Sequence, residues 1–214
     1  SLKTPTSMPG MKVDMAGSAA VICAINALAS LKAKANVMAI VAATDNRIGD
    51  GATVPDDILT AASGKTIEII STDAEGRLTL ADAVWFAQKE GAKKVIDTAT
   101  LTGAMVAALG HAYTGVFTNS PTFLNKFKTV TELTNEPIWE MPISDVYRKE
   151  LKSKVADITN KGGRLAGASI AAAFIEEFIE KDTEWIHLDI AGTSTKKDIG
   201  ATGVMVKSFT ELFL

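Results

Sequence analysis

The sequence predicts an α/β fold, a sheet covered by helices, on three observations. Short β-branched runs alternate with longer Ala- and Leu-rich stretches of helical spacing. Loops gather in three places, with no flexible linker between them. Hydrophobic residues make up 47% and charged residues 22% of the 214, enough apolar surface for a real core.

The elements follow in order. Asp14 to Lys34 has helical spacing, with Asp14 in the position of an N-cap and cations near the end. Val37 to Ala43 is a β-branched run with the character of a buried strand, as are Thr66 to Ile70, Lys94 to Leu101 and Trp185 to Ala191. Leu80 to Glu90 is a second helix, closed by Gly91 where a C-terminal glycine is expected. Gly167 to Lys181 is a third, with Ile170, Phe174, Ile175, Phe178 and Ile179 on one stripe. The loops are Thr44 to Asp57, Asn135 to Pro142 with its prolines flanking Trp139, and Lys161 to Arg164. No repeat or low-complexity tract interrupts the pattern, so residues 1–214 are expected to form a single domain.

Composition excludes several classes. Lys and Arg number 22 against 25 Asp and Glu, a net charge of −3, which is no bulk footprint for nucleic acid. No continuous run of about 18 apolar residues is found, so no transmembrane helix is expected. Ser1 to Pro5 lacks the apolar core and cleavage site of a signal peptide. Cys23 is the single cysteine and forms no internal disulfide, which fits a reducing, cytoplasmic setting.

In α/β sheets, ligands sit at the C-terminal ends of strands. Thr72-Asp73-Ala74-Glu75-Gly76-Arg77-Leu78 occupies such a corner, after one strand and before a helix. Its two carboxylates are hard oxygen ligands suited to divalent cations, and Gly76 lets the backbone turn. Arg77 beside them would hold an anion bidentately. The plainer alternative is a solvated loop with a salt-bridged arginine. Asp14 is followed, after Met15, by Ala16, Gly17 and Ser18, small residues that would let a helix start pack closely around a site; a simple N-cap is the plainer reading. Lys3 alone would pass for a surface lysine. Thr98 to Ala104 ends a strand in small and hydroxyl residues, which would open backbone groups to a ligand or merely make a tight turn. His187 and Asp189 share one face of a strand, as a metal pair or a satisfied core histidine. Ser63-Gly64-Lys65-Thr66 lacks the upstream glycine of a phosphate loop, with Leu59 in its place. With two histidines and one cysteine, any metal site must be built from carboxylates.

Taken together, these segments resemble the leucyl (cytosol) aminopeptidases, peptidase family M17. Ser71 to Leu78 is similar to the family signature N-T-D-A-E-G-R-L, departing only at Ser71. Lys12 to Gly17, Ser63 to Glu68, Asp97 to Ala104 and His187 to Thr193 also match, in family order across essentially the whole chain.

The resemblance implies a mixed, largely parallel central sheet flanked by helices, with the early strands missing. It implies a two-metal aminopeptidase that releases N-terminal residues, preferably leucine or other apolar ones, by attack of a metal-bound water. Asp14, Asp73 and Glu75 match metal ligands, for Zn²⁺ or Mn²⁺, with Mg²⁺ or Co²⁺ also admitted. Lys3 matches the lysine that polarises the scissile carbonyl, and Arg77 the arginine that holds a bicarbonate acting as general base. Met11, Thr100, Gly103 and Ala191 match the pocket for the N-terminal side chain, and the Leu101 backbone a contact to the reacting group. Peptides as substrates, a homohexamer and a cytoplasmic location are implied as well. The family carries a G-K-G-x-x-x-D-S-G-G block ahead of the position aligned with Ser1, whose Lys and Asp complete the metal pair. The chain is therefore expected to be the C-terminal part of a catalytic domain, with the missing segment supplied as a separate chain or in further residues. The alternative is a catalytically incomplete fragment or a non-catalytic assembly or regulatory protein on the same fold; no basic patch supports a nucleic-acid role.

Overall fold

The computed structural model describes residues 3–214. Helix α1 (Ala16–Ser30) is followed by strands β1 (Ile58–Thr60) and β2 (Thr66–Glu68), helix α2 (Gly76–Lys89) and strand β3 (Lys94–Ala99). Then come α3 (Gly103–Leu109), β4 (Thr114–Thr118), α4 (Pro121–Thr134), β5 (Ile138–Glu140) and α5 (Asp145–Lys149). The remainder is β6 (Ile158–Thr159), α6 (Gly167–Glu176), β7 (Glu184–Asp189), β8 (Thr195–Lys196), β9 (Gly200–Ala201) and α7 (Val206–Glu211). The class is mixed α/β, as the sequence predicts.

The chain divides into two compact units. Unit 1 takes residues up to Lys12, Ala42–Val95 and Pro142–Thr183; unit 2 takes Val13–Val41, Ile96–Met141 and Glu184–Leu214.

Unit 1 holds a three-stranded sheet in the order β1-β2-β6. β1 and β2 form an antiparallel hairpin, while β2 runs parallel to β6 with Ile67 opposite Ile158. The hairpin turns at Gly64, whose φ of +89° favours a residue without a Cβ. Just before β6, the Asp157 carboxylate accepts the Thr66 N–H and hydroxyl, both at 2.8 Å, and fixes the start of β2. α6 is apolar all round and buried from Ala168 to Ile175, as the centre of a core requires. α2 packs on it, and Gln88 ties the end of α2 to the chain beyond α6: Nε2 donates to Phe178 O (2.9 Å) and Oε1 accepts from Glu180 N–H (2.6 Å).

Unit 2 holds a four-stranded sheet in the order β3-β7-β4-β5. β4 is antiparallel to β7, with Val116 opposite Leu188, and parallel to β5. Its core gathers Val116, Phe123, Leu124, Phe127, Ile186, Leu188, Ile190 and Phe209, together with Ala20 and Ala24 of α1. Each large side chain buried there contributes about 1.5–3 kcal/mol. α4 is capped by Ser120, whose hydroxyl accepts from Phe123 N–H at 3.2 Å, and ends at Asn135 in the left-handed conformation.

Four expectations need correction. Val37 to Ala43 does not pair as a strand; Met38 and Val41 stand exposed, so the apolar run has no neighbouring ladder to complete. The loop expected at Asn135 to Pro142 contains β5, which gains its regularity from pairing with β4 rather than from its own pattern. α1 starts at Ala16 behind Met15, and Asp14 is not its cap, because that carboxylate is engaged elsewhere. Finally, Met11–Ser30 is long and apolar enough by length and composition to cross a membrane. Its many Ala residues, broken by Gly, Ser and Asn, hide that property from a count of unbroken apolar runs. In unit 2 α1 packs on α7, with Ala20 and Ala24 in the apolar cluster that holds Phe209 and Leu212.

Candidate active site

In unit 1 the parallel strands β2 and β6 end side by side, and the chain after β2 turns into the Ser71–Glu75 loop. Asn160, fully buried immediately after β6, holds that loop. Its Oδ1 accepts the N–H groups of Ile70 (2.8 Å) and Ser71 (3.3 Å); its Nδ2 donates to the carbonyls of Ser71 (2.7 Å) and Ala74 (3.4 Å). The Asn160 N–H continues the ladder to Glu68 O at 2.9 Å. Its carbonyl accepts from Arg77 Nη1 at 3.0 Å, and the guanidinium is buried.

On this loop Asp73 is exposed and forms an ion pair with Lys3. The structure thus brings two sequence-predicted residues, 70 positions apart, into contact. Among the described residues, Glu75 Oε2 is buried with no hydrogen-bond partner. An unpartnered buried carboxylate oxygen is costly and calls for a cation. Asp73 and Glu75 are both hard oxygen donors, so this donor set fits a divalent cation. Among the described residues, no three or more His, Cys, Asp or Glu side chains gather as a metal site. Met11 lies in the same unit, in a short 3₁₀ turn, with its side chain exposed.

In unit 2 the corresponding feature is Asp189, at the end of β7 and almost fully buried. Its Oδ1 accepts from the N–H groups of Leu101 (3.2 Å), Ala191 (3.2 Å) and Thr102 (3.4 Å), and its Oδ2 from the Thr102 hydroxyl (2.6 Å). Thr102 in turn caps α3, accepting from Met105 N–H at 3.0 Å. Ile190 N–H donates to Ala99 O at 2.8 Å, so the ends of β3 and β7 lie together. Leu101 and Ala191 are thereby held by one carboxylate, and Thr100 and Gly103 flank the Leu101–Thr102 turn in sequence. Burial pushes the Asp189 carboxyl up from its ordinary pKa, against the opposing pull of His187, the Thr102 hydroxyl and the backbone donors.

The Thr100 hydroxyl donates to Asp14 Oδ1 at 2.7 Å, which is what draws Asp14 away from capping α1. Close packing of that helix start is real. A Cβ on Gly17 would lie 2.0 Å from Thr98 O, so only glycine lets α1 approach the end of β3. His187 is a core histidine: its Nδ1 pairs with Asp97 Oδ1 at 2.5 Å, while Trp185 Nε1 donates to Asp97 Oδ2 at 2.6 Å. With Asp189 spent on backbone donors, the two do not form a metal pair.

One residue that holds these loops has no signal in the sequence. Asn160 follows a two-residue strand, too short to show a period. Asp189 was legible only as a partner for His187.

A model of the "Cytosol aminopeptidase family, catalytic domain" matches residues 1–210. A probable cytosol aminopeptidase of Clostridium tetani is 50% identical over 97% of this chain and 44% of its own length. One from Bacillus subtilis is 44% identical over 99% of this chain and 44% of its own. The chain thus spans less than half the length of these relatives. A solved structure of a tomato leucine aminopeptidase mutant is 41% identical and superposes with a TM-score of 0.90, covering 95% of this chain and 41% of that one. Family model, relatives and fold agree: the chain belongs to the cytosol aminopeptidase family.

Proposed function

We propose that the chain carries part of the machinery of a metal-dependent aminopeptidase acting on peptides with apolar, preferably leucine, N-termini, in the cytoplasm and within a homohexamer. The observation that supports this best is the Ser71–Arg77 loop, where an orphaned buried oxygen of Glu75 and the Lys3–Asp73 pair occur on a signature matching the family's.

In this reading Asp14, Asp73 and Glu75 hold divalent cations, Zn²⁺ or Mn²⁺ in the first instance. The chemistry such ions supply when bound is acidification of water and neutralisation of charge developing on a carbonyl oxygen. Lys3 adds a positive charge beside Asp73, suited to polarising the scissile carbonyl. Arg77, held by Asn160 O, offers a planar fork for a small carboxylate-like anion such as bicarbonate, the proposed general base. Thr100, Gly103 and Ala191, with Met11, receive the N-terminal side chain. Because the Leu101 N–H is committed to Asp189, any backbone contact from Leu101 to substrate is made by its carbonyl.

The test is hydrolysis of leucinamide by the purified protein, with intact masses recorded for every chain present. Hydrolysis that requires Mn²⁺ or Zn²⁺, stops with chelator and is lost in Asp73→Ala is the expected result. Hydrolysis that survives chelation would contradict the metal reading. The gathering of fewer than three candidate ligands among the described residues favours a second reading, a catalytically incomplete or non-catalytic chain. No hydrolysis from a sample holding only the 214-residue species would support it.

A further inference from the structure

We infer that Asn160 is the positioning residue of the candidate metal loop, setting the carboxylates of Asp73 and Glu75 through its buried side-chain amide while its main-chain carbonyl holds Arg77; this rests on the metal-holding role proposed above. The loop turns both kinds of backbone group inward. Ile70 and Ser71 present N–H groups, whereas Ser71 and Ala74 present carbonyls. Only a primary amide answers all four, two donors with oxygen and two acceptors with nitrogen. The network also fixes which way the amide lies, since a flip would set like against like at every contact. Among the described residues the loop is also held by Asn46 Nδ2 donating to Thr72 O, by Ser71 Oγ accepting from Asp73 N–H at 3.3 Å, by Ser71 O accepting from Ala74 N–H at 3.2 Å, and by the Lys3–Asp73 ion pair. Asn160 also brings the adjacent anion-binding candidate into the same frame, through its carbonyl to Arg77. Its backbone is anchored to β2 by the bond to Glu68 O, so amide, loop and guanidinium move with the strand ends. Asn160 therefore acts on metal through the loop and touches none of the reacting atoms.

The experiment measures Mn²⁺ affinity by paramagnetic resonance on the full chain in the parent, Asn160→Asp, Asn160→Ser and Gln88→Leu. Asn160→Asp replaces two donors with an acceptor facing two carbonyls, and Asn160→Ser removes the amide without adding charge. Gln88→Leu removes a comparably buried amide of the same unit that does not touch the loop. The expected result is a fall in Mn²⁺ affinity of about 10–100-fold in both Asn160 variants, the range for lost supports of metal ligands, with Gln88→Leu unchanged. Should Asn160→Asp fail to fold, Asn160→Ser carries the comparison. Parent-like affinity in the Asn160 variants, or an equal fall in Gln88→Leu, overturns the positioning role and leaves the metal site standing. A parent that binds no Mn²⁺ overturns the metal reading and this inference with it.

Discussion

Two loops, one in each unit, are held by buried side chains of opposite character. In unit 1 a neutral amide, Asn160, holds the Ser71–Glu75 loop; in unit 2 an acid, Asp189, holds the turn from Leu101 to Thr102 and the start of the chain after β7. The difference follows from what the backbone presents. The first loop turns donors and acceptors inward, so it needs a group that is both. The second turns only donors inward, three N–H groups and a hydroxyl, so it needs an acceptor with several lone pairs. Hydrogen-bond demand, not local polarity, decides where a charge is buried, and the raised pKa of Asp189 records the cost.

Substitutions can break the comparison. The largest effect is expected from Asp189→Leu, which strands several donors at once; with about 1–3 kcal/mol for each buried group left unsatisfied, it should cost at least about 3 kcal/mol in denaturant unfolding. A cost within about 0.5 kcal/mol, the scale of neutral surface changes, would show that the carboxylate does not hold the turn. Next come the isosteric exchanges. Asn160→Asp sets an acceptor against two fixed carbonyls and should cost about 2 kcal/mol. Asp189→Asn keeps the oxygen and places its NH₂ against the Thr102 hydroxyl, which rotates to accept, so about 1 kcal/mol is expected at neutral pH. Equal costs for the two exchanges would contradict the difference between the two loops.

The smallest effects are in pH dependence, and they have opposite signs. Asp189 has a raised folded pKa, so its contribution is full below the ordinary aspartate value of about 3.9 and is lost as pH rises through the raised value. The stability gap between parent and Asp189→Asn should therefore narrow on going from about pH 4 to about pH 8. Asp157 behaves in reverse: the Thr66 N–H and hydroxyl hold its carboxyl below the ordinary value. Its contribution is present above about pH 4 and fades as pH falls through the lowered value, so the gap to Asp157→Asn should close in acid. Thermal melts across pH check both, and gaps that move in the same direction would contradict the assignment.

The same contrast explains what the sequence made legible. β3 and β7 stand out through the apolar residues at their centres, Val95 and Ile96 in one and Trp185, Ile186 and Leu188 in the other, and the Ser71–Leu78 stretch because its chemistry is local. β1, β5 and β6 have two or three residues each and take their form from partners, so no period announces them. Val37 to Ala43 shows the converse, a strand-like run that pairs with no strand among the described residues. Asp14 had the spacing of a cap, but Thr100, 86 positions away, competes for its carboxylate. Asn160 is a single polar residue whose partners lie about ninety positions earlier, beyond any local pattern.

The proposed role of the Ser71–Arg77 loop is to hold a metal through Asp73 and Glu75. Calorimetric titration of Mn²⁺ into the parent, Glu75→Gln and Asp73→Asn tests it most directly. Saturable binding in the parent that is strongly weakened in each variant is predicted. Binding that is absent in the parent, or unchanged when both carboxylates are neutralised, would contradict it.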